Sequence, residues 1–148
     1  MDVKPKRKRI QALDSNVPII LVVEDDRDNL LFISHTLIFF QYNFIVATEA
    51  KAAIDLASNY SIDLILLDLL LPDADGLELV RTLKQSNLTK DIPIIAITAL
   101  AQEEDLERVL AAGCDDYLCK PYLIDDLNDK ICFFFPQSFF RYKPIAIG

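Results

Sequence analysis

The stretch Ile62-Asp63-Leu64-Ile65-Leu66-Leu67-Asp68-Leu69-Leu70-Leu71-Pro72 decides the fold. A short apolar run of this kind reads as a strand buried on both faces, as in a parallel sheet. Asp68 stands where the run stops, at the strand's carboxyl end, where open α/β sheets place their ligand sites. Ile19-Ile20-Leu21-Val22-Val23 ends the same way, on Glu24-Asp25-Asp26. Two acidic strand ends that meet in space repel unless a cation or proton intervenes. The pattern points to a carboxylate pocket loaded with a metal ion.

Outward from these two runs, strand-like and helix-like segments alternate. Strands are predicted over 19–23, 44–47, 62–67, 93–97 and 116–119. Helices are predicted over 28–41, 49–59, 76–86, 101–111 and 123–135, with ends good to about ±2–4 residues. The first helix offers Leu30, Ile33, Leu37 and Phe40 on one face, and the last offers Leu123, Leu127, Ile131 and Phe134; both sets keep helical spacing. Thr48 fits the N-cap of the second helix and Gly113 the residue closing the fourth. Pro136 stops the fifth. Five β-α units in a row imply a parallel sheet with helices on both faces, and right-handed crossovers limit the strand orders. The flavodoxin-like, doubly wound order 2-1-3-4-5 sets the first and third strands side by side and would bring Glu24, Asp25 and Asp68 together. Periodicity alone leaves other orders open.

The 148 residues suffice for one domain with a sizeable core, and 52% apolar content excludes a disordered chain. Three segments are expected: a basic flexible arm over 1–16, a domain over 17–135, and an aromatic tail over 136–148. Residues 1–9 carry net charge +4 out of a total of −8, which leaves −12 for the rest. An acidic body argues against a broad nucleic-acid surface. No apolar run approaches the ~18 residues of a membrane span, and the segment after the arm lacks the apolar core of a secretory signal, so a cytoplasmic location is expected. Cys114, Cys119 and Cys132 are odd in number and without zinc-like pairing, which fits reduced thiols.

Two further strand ends are polar: Ile94-Ile95-Ala96-Ile97 leads to Thr98, and Tyr117-Leu118-Cys119 leads to Lys120-Pro121. Acid, Asp, Thr and Lys thus occupy four of the five predicted strand ends. That set suits phosphoryl transfer to Asp68. A carboxylate can act as the nucleophile, and the rest of the work is positioning and neutralising spread negative charge. A Mg²⁺ held by one or two carboxylates, the Lys120 ammonium and the Thr98 hydroxyl would share that work.

On these residues the chain resembles the receiver domain of two-component response regulators, over about 18–135. The matching motifs are Val22-Val23-Glu24-Asp25-Asp26, Asp68 with Leu71-Pro72-Asp73-Ala74-Asp75-Gly76, Thr98-Ala99 and Lys120-Pro121. About a dozen residues remain after the fifth helix, so a stand-alone, single-domain receiver is expected unless the sequence is cut from a longer protein. The resemblance makes Asp68 the phosphoacceptor and a sensor histidine kinase or phosphotransfer protein the donor. It assigns Mg²⁺ to Asp25, Asp68 and the backbone carbonyl of Leu70, with Glu24 acting through water. It puts Lys120 and Thr98 on the phosphoryl oxygens, makes Thr98 and Tyr117 the switch pair, and makes the Lys120-Pro121 bond cis. A downstream protein target follows, and a homodimer is one admissible assembly. Leu70 and Leu100 are apolar at the two positions that commonly flank the attacking water.

Taken singly, each residue has a plainer reading: Asp68 a strand-end cap, Lys120 a solvated charge, Thr98 a helix cap, Tyr117 a half-buried ring. Asp73 and Asp75 read as turn formers, and Asp125, Asp126 and Asp129 as a solvated helix start. The single histidine, His35, lacks the companions a metal site wants. Against phosphorylation stands a constitutive interaction module on the same fold, which the complete acid-Asp-Thr-Lys set opposes. A flavin or nucleotide binder lacks its glycine-rich loop, since the chain holds Gly76, Gly113 and Gly148 alone. A DNA regulator lacks a helix-turn-helix segment. The expected protein is a signalling switch that catalyses its own phosphorylation and dephosphorylation and is not otherwise an enzyme.

Overall fold

The computed structural model describes residues 18–135. Five strands alternate with five helices: β1 (Ile19–Val23), α1 (Arg27–Phe39), β2 (Asn43–Ala47), α2 (Ala50–Asn59), β3 (Leu64–Asp68), α3 (Gly76–Gln85), β4 (Ile94–Thr98), α4 (Glu103–Ala112), β5 (Asp116–Cys119) and α5 (Ile124–Phe133). All neighbouring strands are parallel, in the order β2-β1-β3-β4-β5. The fold is therefore the doubly wound, flavodoxin-like order expected from the sequence.

The period of two along each strand builds two cores. Ile19, Leu21, Val23, Ile65, Leu67, Ile94 and Ala96 face α2, α3 and α4. Ile20, Val22, Leu64, Leu66, Ile95 and Ile97 face α1 and α5. Every residue of β1, β3 and β4 is buried, which is why these segments are apolar up to the polar residues, Asp68 and Thr98, that end β3 and β4. Full burial of each such side chain stabilises by about 1.5–3 kcal/mol before chain entropy is charged against it.

Several local expectations need correction. Thr48 does not cap α2; Glu49 holds that place and makes no side-chain cap. The first amides of α2 are satisfied from another loop: Asp73 Oδ1 accepts from Ala50 N at 2.8 Å and Oδ2 from Lys51 N at 3.2 Å. Leu123 does not join the buried face of α5; it is the N-cap residue and is 72% exposed. Asp126 is more than a solvated charge, since its Oδ2 accepts from Leu123 N at 3.2 Å. Strand β3 starts at Leu64 and runs onto Asp68 itself, β4 runs onto Thr98, and α4 begins at Glu103. Gly113 does close α4, at φ 120°. The regions 1–16 and 136–148, with Pro136, lie outside the described residues.

Candidate functional site

Strand register assembles the site. Val23 pairs with Leu67, so Glu24 and Asp68 follow side by side across the central ladder. Asp68 pairs with Ile97 and Thr98 with Cys119, which puts Thr98 one step and Lys120 two steps further along the same edge. Asp68 is 6% exposed. Its Oδ2 receives Lys120 Nζ at 2.8 Å and its Oδ1 receives Leu70 N at 2.9 Å. Thr98 is buried; its Oγ1 accepts from Leu100 N at 3.0 Å and its carbonyl from Lys120 N at 2.8 Å. The Lys120-Pro121 bond is cis, as the resemblance implied.

The acidic half is less well satisfied. Glu24 has no exposed surface. Its Oε1 accepts from Asp26 N at 3.2 Å and Asn29 Nδ2 at 3.3 Å, while Oε2 is buried with no hydrogen-bond partner. Burial, then the contact with Asp68, holds the Glu24 carboxyl well above the ordinary carboxylate range. Burial pushes Asp68 up as well. For Asp68 the contact with Glu24, the Lys120 ammonium and the Leu70 amide outweigh it, and the net shift is downward. Two carboxylate oxygens cannot bond each other without a proton, so the pair asks for one more positive charge than Lys120 supplies.

Asp25 is exposed and lines an open cleft of about 420 Å³ together with Asn29, Asp68, Leu70 and Lys120. Among the described residues no group of three or more His, Cys, Asp or Glu side chains is gathered as a metal cage. Mg²⁺ does not need such a cage: one or two carboxylates suffice, with waters completing its octahedron. The carboxylates lining the cleft are hard oxygens, and neighbouring Glu24 holds a buried oxygen without a partner, so the residues present suit a hard divalent cation better than a thiolate-seeking metal.

Three contributors escaped the sequence reading. Asn29 caps nothing itself; its amide N–H goes to Asp26 Oδ2 at 2.9 Å and its side chain holds Glu24. An Asp-Asp acidic end followed three residues later by an amide on the first helical turn was the available signal. Asp73 ties the loop after Asp68 to α2. Phe32, Pro121 and Tyr122 line a recess beside Lys120 and Asn29, with the Phe32 and Tyr122 rings edge to face at 5.5 Å. Tyr117 is half-buried against the α3–α4 side, with Lys130 Nζ 5.8 Å from its ring centre. His35 is exposed on α1, away from any cluster of ligands among the described residues.

Comparison with known proteins gives a consistent picture. The family model for the response regulator receiver domain matches residues 20–132. The polar-differentiation response regulator DivK of Brucella anthropi is 36% identical over 112 residues, which cover 76% of this chain and 91% of that protein. A Vibrio cholerae protein named "Probable cyclic di-GMP phosphodiesterase" is 34% identical over the same length, but the chain spans 25% of it. Among solved structures, the receiver domain of sensor histidine kinase PA1611 from Pseudomonas aeruginosa superposes with a TM-score of 0.74 at 32% identity, over 80% of this chain and 97% of that one. That receiver was crystallised with a magnesium ion coordinated in its active site cleft.

Proposed function

Since the chain belongs to the response regulator receiver domain family, we propose that it is a phosphorylation-dependent signalling switch whose phosphoacceptor is Asp68. The observation that carries this reading is the buried Asp68 carboxylate with Lys120 Nζ at 2.8 Å. An oxygen of Asp68 attacks the phosphorus of a phosphohistidine on a sensor kinase or phosphotransfer protein. The new O–P bond forms as the N–P bond breaks, and the imidazole leaves with that electron pair. Lys120 neutralises charge on the transferred phosphoryl oxygens, and the Thr98 hydroxyl offers them a hydrogen bond. The Leu70 amide keeps Asp68 oriented before the reaction. Asp25, Asp68 and the Leu70 carbonyl would hold Mg²⁺, with Glu24 acting through water. When bound, the ion supplies positive charge to the phosphoryl oxygens.

Thr98 and Tyr117 form the proposed switch pair. Movement of the Thr98 hydroxyl toward the phosphoryl group frees space for the half-buried ring of Tyr117 to turn inward, which alters the surface a downstream protein reads. The bounded unit is the receiver over about 17–135; activity outside self-phosphorylation and self-dephosphorylation is not expected of it. Among the described residues no helix is long and apolar enough to cross a membrane.

Incubation with Mg²⁺ and acetyl phosphate should add a single phosphoryl group, read by intact mass, and Asp68→Asn should remove it. Full labelling of Asp68→Asn would reject the assignment, and an unlabelled wild type would favour the constitutive module instead. Asp25→Ala should weaken Mg²⁺ binding sharply in titration calorimetry and Glu24→Ala less so. Wild-type titration of Asp25→Ala would move the metal elsewhere.

A further inference from the structure

The six residues between Leu69 and Gly76 form the loop that leaves Asp68. Leu71 is half-buried against the core, and the other five, Leu70 and Pro72 to Asp75, are exposed. Apolar burial therefore fixes little of this loop. Gly76 N donates to Leu69 O at 3.1 Å, and Leu70 bridges to Asp75. Both bonds close the base of the loop on itself and leave its tilt over the cleft open. Asp73 supplies the polar tie to another element. Its Oδ1 accepts from Ala50 N at 2.8 Å and its Oδ2 from Lys51 N at 3.2 Å, so each carboxylate oxygen holds one amide of the first turn of α2. Those amides get no side-chain cap from Glu49 at the N-cap, and they carry the positive end of the helix dipole, which favours a carboxylate.

The far end of this tie leads back to the site. Helix α2 starts three residues after Ala47, and Ala47 O accepts from Glu24 N at 3.0 Å. A path of covalent and hydrogen bonds thus runs from Asp68 through Leu70 and Asp73 to Ala50, and through Ala47 to Glu24 and Asp25. It joins the two walls of the cleft, Leu70, Leu71 and Pro72 on one side and Asp25, Asp26 and Asn29 on the other. We propose that Asp73 is a positioning residue for the divalent cation: by gripping α2 it holds the segment that carries the Leu70 carbonyl in place before the ion arrives. This rests on the assignment of Mg²⁺ to Asp25, Asp68 and that carbonyl. Both oxygens of Asp73 are engaged by amides, so it acts through the loop and not as a ligand. Without the grip, the loop is in place in only a fraction of molecules, and the apparent affinity for the ion falls by that fraction.

The test compares three single variants of the full chain, each checked by circular dichroism to be folded at the assay temperature. Asp73→Ala removes both acceptors. Asp73→Asn keeps one carbonyl oxygen for the Ala50 amide but drops the charge. Asp63→Ala removes a similar bond, from Ile19 N to Asp63 Oδ2 at 2.8 Å, at the opposite end of the sheet. Titration calorimetry should show Mg²⁺ binding about fivefold weaker in Asp73→Ala, the factor equivalent to one helix cap. Asp73→Asn should fall between it and wild type, and Asp63→Ala should match wild type. Phosphorylation of Asp73→Ala by acetyl phosphate should be slow at low Mg²⁺ and recover at saturating Mg²⁺. In the metal-free protein, magnetic resonance should show faster exchange of the Leu70 amide in Asp73→Ala and not in Asp63→Ala. Should Asp73→Ala not fold, Asp73→Asn must show both weaker binding and faster Leu70 exchange. Wild-type Mg²⁺ affinity in Asp73→Ala would overturn the proposal. An equal loss in Asp63→Ala would reduce the effect to stability, and a loss in Asp73→Asn as large as in Asp73→Ala would reduce it to charge; either would overturn it too. A wild type that binds no Mg²⁺ would instead bring down the metal assignment itself.

Discussion

A methyl group on Gly76 would stand 2.4 Å from the carbonyl oxygen of Leu69, 2.5 Å from its Cα and 2.8 Å from its carbonyl carbon. Carbon atoms are at their best separation at about 3.5–4.0 Å. All three contacts are overlaps with backbone, which cannot swing aside as a side chain would. Gly76→Ala should therefore push Leu69 outward. Overpacking of this kind costs about 1–3 kcal/mol, and the helix propensity gained by alanine returns at most about 0.5–1 kcal/mol. The expected net loss is about 1–2 kcal/mol, a fall in melting temperature of roughly 3–10 °C for a domain of this size. Leu69 lies between Asp68 and Leu70, and Gly76 N donates to its carbonyl at 3.1 Å. Moving it shifts the Leu70 amide that orients Asp68. A misplacement near 1 Å at a reacting group can cost about 10²-fold, so phosphorylation by acetyl phosphate should slow by about that factor. The chain has no tryptophan, so the melt is followed by circular dichroism, and the initial rate by intact mass. A variant that melts within about 1 °C of wild type would refute the clash. One that melts lower yet phosphorylates at the wild-type rate would refute the link from Gly76 to Asp68.

Asp73→Ala should destabilise the fold by stripping two backbone donors of their partner. The Ala50 amide, followed by the Lys51 amide and outweighing a small effect of burial, holds the Asp73 carboxyl below its ordinary 3.8. The stability it confers is therefore present above that ordinary value and is lost as pH falls through the lowered one. The gap in melting temperature between wild type and variant should be open at pH 7 and close in strong acid; a gap independent of pH would reject the cap. Leu70→Asn with Leu100→Glu should speed loss of the phosphoryl group, because both wild-type side chains are exposed and neither can hold a water. Equal decay of labelled wild type and double variant would end that account. Burial, then the charge of Asp115, pushes the Cys114 thiol up to about 12, leaving roughly one in 10⁴ as thiolate at pH 8. Native alkylation should spare it while half-buried Cys119 and Cys132 react; modification of Cys114 as fast as Cys119 would contradict this.

The sheet was legible because its three central strands are buried on both sides and so are spelled in unbroken apolar residues. Once their order is known, the polar residues that end them fall at one edge of the sheet. Glu24, Asp68 and Thr98 are placed that way, and Lys120 joins them from the end of the edge strand β5. What depended on contacts between loops was not legible. Thr48 had the right chemistry for a cap, but Asp73, distant in sequence, reaches the α2 amides first. Leu123 kept the helical spacing of Leu127 and Ile131 but sits before the first turn, outside the packed face. Asn29 looked like one polar residue among several at the start of α1, since nothing local says that Glu24 Oε1 lies within its reach.

The two charges of the site are hung on strands of unequal constraint. Glu24 and Asp68 end β1 and β3, each hydrogen-bonded to a neighbour on both sides. Lys120 follows β5, an edge strand of four residues bonded on one side alone. Interior strands open with close to the full unfolding free energy, whereas edges open more cheaply. The anionic floor is thus stiff, and the cation above it sits on the compliant margin of the sheet. A negative group arriving between them will be met by movement of the Lys120 side rather than of the carboxylates. Any displacement that arrival causes then propagates first along β5, and through Tyr117 and the Asp116–Lys130 ion pair into α5. Amide exchange should register this directly: slow and unaltered in β1 and β3, faster and ligand-sensitive in β5.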